Sequence, residues 1–228
     1  MIELRKYMKR GDDMENEIKT FIKGKLNKTY QHQKITVFSD ADIEIMEGEI
    51  YHVTSASKKG KSSLLRILSN VEYNDVYTLG FFVKSDDISY MPSTLYHYSY
   101  MTVDDYIQFH AEINVKFLTK DAFDRLSLFK INLDEKINDL PEREKMIINL
   151  IICLSQEKKL YVIDEPFLHT VSSDLPLWIN LFKQTFDEHK TFIVATQHET
   201  IMSQLATVLI TIEDPAHIVM KRRGDIHV

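Results

Sequence analysis

The strongest constraint on the fold is a pair of short segments, residues 158–166 (KKLYVIDEP) and 191–196 (TFIVAT), each built on a nearly all-apolar strand, the first ending in two acids and a proline. Unbroken apolar runs of this length suit parallel strands covered on both faces, because a strand with one wet side would alternate. A third run, residues 50–53 (IYHV), passes through a Ser/Lys/Gly loop into a helical pattern that begins at Ser62 and carries Leu64, Leu65, Ile67 and Leu68. Strands alternating with helices predict an α/β fold with crossover helices. Ahead of this unit, residues 18–26, 34–38 and 41–45 have the β-branched, alternating character of strands. Residues 101–137 lose that character and read as helices, so a helical insertion is expected at about 95–140. Further helices are expected over 142–154 and near 177–188, with closing strands at 208–212 and 217–223.

A length of 228 residues suits one large domain, expected over residues 17–228, with the charged, patternless residues 1–16 as an N-terminal extension. The formal net charge is −6 and no dense Lys/Arg block occurs, which removes the electrostatic footprint of a nucleic-acid binder. No apolar run approaches the roughly 18 residues that span a bilayer, and the N-terminal residues are too polar for a secretion signal. Cys153 stands alone inside the apolar run 146–154 and is expected to be a buried, reduced thiol.

The loop after the third apolar run reads Ser55-Ala56-Ser57-Lys58-Lys59-Gly60-Lys61-Ser62-Ser63. It matches the Walker A pattern G-x-x-x-x-G-K-[ST] except that Ser55 replaces the first glycine. In that pattern backbone amides cradle phosphates, the lysine reaches the terminal phosphates and the hydroxyl binds Mg²⁺. Ser55, Ser57, Lys58, Lys59, Gly60, Lys61, Ser62 and Ser63 are therefore the candidate ligand-binding loop, and Ser62 opens a helix whose N-terminus favours anions. By itself GKS in a basic loop is weak evidence. The run ending in Asp164-Glu165 strengthens it, since two adjacent carboxylates arrive at the C-terminal end of a parallel strand, where such sheets bind ligands. Asp164 is expected to hold Mg²⁺ together with Ser62, and Glu165 to activate the attacking water.

With these motifs in this order, the chain resembles the ATPase subunits of ABC transporters over residues 18–219. The resemblance implies a P-loop NTPase of ABC ATPase type: a mostly parallel core sheet, an N-terminal antiparallel β subdomain and a helical subdomain. It further implies ATP and Mg²⁺ as cofactors, and ATP hydrolysis coupled to transport. The partners implied are a separately encoded polytopic membrane permease and a second ABC ATPase subunit. The location implied is the cytoplasmic face of the cell membrane, held there through the permease. On the same ground Tyr30 is the aromatic that stacks on adenine, and His198, after the second buried strand, is similar to the switch histidine that touches the γ-phosphate. Met101–Asp105 in sequence (MTVDD) is similar to a helix start of the family.

Other positions depart from the family pattern. The signature LSGGQ is replaced by Leu140-Pro141-Glu142-Arg143-Glu144, Ser93 stands where the Q-loop has glutamine, and the D-loop place reads Phe167-Leu168-His169-Thr170-Val171 with Asp174 displaced. The acids of the degraded signature would face a phosphate unfavourably. This predicts one half of an asymmetric pair in which changes at Pro141, Glu142 or Arg143 matter little. The alternative is a nucleotide-binding but hydrolytically weak cassette with a regulatory or scaffolding role. Tyr96, Tyr98 and Tyr100 either face a membrane subunit or pack the helical subdomain.

Overall fold

The computed structural model describes residues 19–56, 59–94, 100–187 and 189–225. Ser57, Lys58, Tyr96, Tyr98 and the N-terminal extension 1–16 lie outside the described residues.

Two sheets organise the molecule. A three-stranded antiparallel sheet is formed by β1 (Thr20–Tyr30), β2 (Ile35–Met46) and β4 (Leu79–Phe81), in the order β2-β1-β4. The larger sheet adds β3 (Ile50–Ser55), β5 (Ile88–Met91), β6 (Leu160–Asp164), β7 (Thr191–Ala195), β8 (Val208–Ile212) and β9 (Ile218–Arg222). Its order is β5-β6-β7-β3-β8-β9, parallel throughout except for the antiparallel β8-β9 edge. The helices are α1 (Lys61–Leu68), α2 (Val103–Ile113), α3 (Thr119–Leu128), α4 (Glu142–Leu154), α5 (Leu175–Thr185) and α6 (Glu199–Leu205).

The apolar runs behave as their composition requires. All five residues of β6 and all five of β7 are buried. Leu160, Val162, Ile193 and Ala195 point into one core, shared with α1 and the small sheet. Tyr161, Ile163, Phe192 and Val194 point into the other, shared with α2–α6. A strand buried on both faces has no wet position, so it cannot alternate. In β2, by contrast, Ala41, Ile43 and Ile45 are buried while Asp42 is exposed, the period-two pattern of a strand with one covered face.

Two local differences from the sequence expectation have physical causes. The two expected strands at 34–38 and 41–45 form one strand, β2, because a register shift between Leu26 and Asn27 absorbs the positive φ of Asp40. The side chain of Asn27 accepts the Asp40 N–H at 3.1 Å and so satisfies the irregular turn of backbone. Strands β4 and β5 and helix α6 are three to seven residues long, too short to leave a periodic pattern. Helix α2 begins where its sequence signals it, with a full capping box: Thr102 Oγ1 accepts from the Asp105 N–H at 3.1 Å, and Asp105 Oδ2 accepts from the Thr102 N–H at 3.2 Å. Cys153 is buried and unpaired, and burial pushes its thiol up to about 12.

Candidate nucleotide site

Strands β3, β6 and β7 are neighbours in the large sheet and run parallel, so their C-terminal ends deliver the phosphate loop, the two acids and His198 to one edge. That edge is where open α/β sheets bind ligands.

Ser55 is the last residue of β3 and is still extended, so no left-handed conformation is needed where the pattern has its first glycine. Its hydroxyl donates to the Lys59 carbonyl at 2.7 Å and bridges the base of the loop. Gly60 is different. It caps α1 with a φ of +86°, and an added Cβ would lie 3.4 Å from Val37 Cγ1 and 3.6 Å from Ile212 Cδ1. The positive φ makes glycine the residue of choice there. Lys61, Ser62 and Ser63 form the first turn of α1, whose buried Leu64, Leu65, Ile67 and Leu68 lock the helix against the sheet.

Lys61 and Glu165 are bonded to each other, Lys61 Nζ donating to Glu165 Oε1 at 2.9 Å with both side chains largely buried. Glu165 follows the end of β6 with a φ of +49°, a left-handed conformation that costs a non-glycine residue about 1–2 kcal/mol. Its N–H donates to the Ala195 carbonyl at 2.8 Å, and its Oε2 accepts from the Gln197 N–H at 3.4 Å. The carboxylate thus spans the gap between the phosphate loop and the strand end that carries His198. His198 caps α6, its N–H donates to Thr196 Oγ1 at 3.1 Å, and its ring meets Phe167 edge-on at 6.3 Å.

Asp164 is 1% exposed, and neither carboxylate oxygen closes a hydrogen bond of normal geometry. Burial raises its pKa; the Ser62 and Ser93 hydroxyls oppose the rise without saturating the group, and the neighbouring Glu165 charge adds to it. A buried, unsaturated carboxylate beside two hydroxyls is a hard-oxygen donor set that suits Mg²⁺. Ser62 and Asp164, the metal residues expected from sequence, are therefore together. Ser93 joins them from the end of β5, so the residue in the glutamine's place still reaches this acid.

Sequence reasoning missed two groups here. Tyr90 on β5 is pushed up to about 12 by burial, reinforced by the Asp164 charge. His52 on β3 is buried with Nε2 3.0 Å from the Thr196 carbonyl, and burial lowers its pKa. His52 lies inside an apolar strand run, where it reads as an ordinary core position, and Tyr90 lies on a strand too short to leave a pattern.

Tyr30 ends β1, the central strand of the small sheet, and reaches α1 through its hydroxyl, 2.9 Å from Ser63 Oγ. Leu140 is buried and Pro141 caps α4 without a side-chain hydrogen bond, while Glu142 and Glu144 occupy the first turn of that helix. Acids there favour the helix dipole, which gives them a structural role whatever they face. Arg143 has a structural partner: its Nε and Nη2 donate to the two Asp174 oxygens at 2.8 and 2.7 Å. A cavity of about 650 Å³, lined in part by Lys19, Phe82, Lys84 and Lys159, opens at the opposite strand ends and shares no residue with the site.

Comparison with known proteins agrees with this geometry. No protein-family model matches the chain. Among curated proteins it is 21% identical over 180 residues to a zinc import ATP-binding protein of Ehrlichia ruminantium, covering 75% of this chain and 71% of that one. It is 26% identical over 165 residues to an uncharacterised ABC transporter ATP-binding protein of Methanocaldococcus jannaschii, covering 70% of this chain and 62% of that one. Its backbone superposes on a solved ATP-binding subunit of an ABC transporter with a TM-score of 0.76, at 15% identity, over 90% of this chain and 91% of the other. The chain has the backbone fold of an ABC-type ATP-binding cassette. A dimeric bacterial ABC cassette superposes on it with a TM-score of 0.74, at 16% identity, over 88% of this chain and 98% of the other. Two solved cassettes thus share this backbone fold over about nine-tenths of the chain.

Proposed function

We propose that this cassette is the ATP-binding, ATP-hydrolysing subunit that energises an ABC transporter with separately encoded membrane subunits. The observation that carries the proposal is the meeting of Lys61, Ser62, Asp164 and Glu165 at one strand edge, with Lys61 and Glu165 in contact at 2.9 Å. Two similar curated proteins are named for zinc import and for sulfate/thiosulfate import. Among the described residues no helix is long and apolar enough to cross a membrane, so a polytopic permease is the partner that would hold the chain at the cytoplasmic face.

In this account Lys61 and the N-terminus of α1 take the phosphates, and Ser55, Ser57, Lys58, Lys59, Gly60 and Ser63 complete the cradle. Ser62 and Asp164 would hold Mg²⁺, which when bound neutralises charge on the phosphate oxygens. Arriving phosphates compete for Lys61 and draw it from Glu165, whose freed carboxylate accepts the proton of the attacking water. His198 donates to the γ-phosphate. The acids in the first turn of α4 support an asymmetric pair, in which a partner cassette supplies the signature opposite Lys61 and the site facing Glu142 and Glu144 is degenerate. The same acids favour, as the second reading, a hydrolytically weak cassette that regulates or scaffolds a complex. Calorimetric titration with MgATP tests the binding step. Lys61→Ala removes a charged hydrogen bond and should cost about 1.5–3 kcal/mol, roughly tenfold or more in affinity. Equal affinity in wild type and Lys61→Ala would overturn it.

A further inference from the structure

The Tyr30 hydroxyl is fully occupied. It donates to Glu72 Oε2 at 3.1 Å, accepts from Arg66 Nη2 at 2.8 Å, and lies 2.9 Å from Ser63 Oγ. With its own proton committed to Glu72, the oxygen accepts from Ser63 as well, which uses its whole bonding capacity. Arg66 also donates from Nε to Glu72 Oε2 at 2.7 Å, so one guanidinium grips both the tyrosine and its acceptor. Lys28 completes the cluster, 3.1 Å from Glu72 Oε1 and 3.0 Å from Asp75 Oδ1, with its ammonium 5.6 Å from the centre of the Tyr30 ring. These bonds from Arg66, Lys28 and Tyr30 outweigh burial and hold the Glu72 carboxyl below its usual range. Ser63 is adjacent in the chain to Ser62, so the Tyr30 hydroxyl is anchored on the first turn of the helix that follows the phosphate loop.

We propose that Arg66 is a positioning residue for the base of the bound nucleotide: it fixes the Tyr30 ring to the phosphate-loop helix before the nucleotide arrives. This rests on the reading of Tyr30 as the base platform. The Lys28 ammonium lies over one face of the ring. A platform held in place loses little freedom on binding, so its fixation appears as affinity. Arg66 stands in the last turn of α1, away from the phosphate loop in the chain, and its loss should raise KM for ATP with kcat retained. Lysine cannot grip Tyr30 and Glu72 with one planar fork, so Arg66→Lys should fall between wild type and Arg66→Leu.

The test is calorimetry with MgATP and, separately, with magnesium tripolyphosphate, which has the phosphates and no base. Arg66→Leu and Tyr30→Phe should each weaken ATP about fivefold or more, the lower end of what base stacking contributes, and leave tripolyphosphate affinity unchanged. Equal weakening of both ligands would mark a general disturbance of the loop and overturn the proposal. ATP affinity unchanged in Arg66→Leu and Tyr30→Phe, with Tyr30→Ala weakened, would overturn this proposal alone. ATP affinity unchanged in Tyr30→Ala would overturn the base-platform reading and this proposal with it. If Arg66→Leu fails to fold, Tyr30→Phe, which removes only the hydroxyl, decides.

Discussion

Replacing Arg143 with Ala should destabilise the fold far more than its place in a degraded motif suggests. The Asp174 side chain is 5% exposed and that of Arg143 29%, and two hydrogen bonds of 2.8 and 2.7 Å join them. Removing one partner of a buried ion pair costs about 3–5 kcal/mol, because the remaining charge keeps its desolvation penalty. Arg143 is partly exposed and water can enter beside Asp174, so about 2–3 kcal/mol is the better figure here. For a chain of this size that lowers Tm by roughly 4–12 °C. The pair joins the first turn of α4 to the N-terminal end of α5, and the segment between Glu165 and Asp174 hangs from that junction. Urea unfolding followed by circular dichroism gives the free energy. Arg143→Met with Asp174→Leu should recover most of the loss, since it removes both charges and leaves none uncompensated. If Arg143→Ala lies within about 0.5 kcal/mol of wild type, as an ordinary surface substitution does, the clamp contributes nothing and the reasoning fails.

Two further outcomes follow from the buried groups. MgATP should raise Tm, because a ligand at a hundred times its Kd stabilises the folded state by about 2.7 kcal/mol; Asp164→Asn should lose most of the increment specific to Mg²⁺, and an equal increment with EDTA present would refute the assignment. His52 and His110 have pKa values lowered mainly by burial. A histidine held neutral in the fold takes up protons more readily when unfolded, so stability is full above the unfolded pKa of about 6.5 and falls as pH drops below it. His110 Nε2 is buried without a partner among Tyr106, Phe109 and Phe117. His110→Phe should therefore flatten the decline in the urea midpoint between pH 7 and 5, and an unchanged slope would contradict it.

The fold was largely legible because its central strands are buried on both faces and betray themselves as unbroken apolar runs. Leu160–Asp164, the strand that delivers both carboxylates, needed no tertiary information to find. Helix α4 was legible over its full length, and α2 announced its first turn through Thr102 and Asp105. The β4 and β5 segments were not, since three or four residues cannot carry a period. At the site, backbone chemistry was visible in Gly60 and charge chemistry in Lys61, Asp164 and Glu165. What the sequence hid were contacts between residues far apart in the chain. Nothing local to Arg66 announces Tyr30, 36 positions away, and nothing local to Arg143 announces Asp174, 31 positions away. Ser93 looked like a lost glutamine, yet it reaches Asp164 because β5 lies beside β6.

The central claim is that this cassette contributes the working catalytic half of an ATPase. The direct measurement is the ATP hydrolysis rate of the membrane complex obtained by expressing the chain with the products of its genomic neighbours. Glu165→Gln keeps the shape of the side chain while removing the proton acceptor, a loss typically of about 10²–10⁴-fold. The account predicts that hydrolysis nearly vanishes in Glu165→Gln and changes little in Glu142→Ala. A rate left intact by Glu165→Gln, or full activity of the purified chain alone, would contradict it.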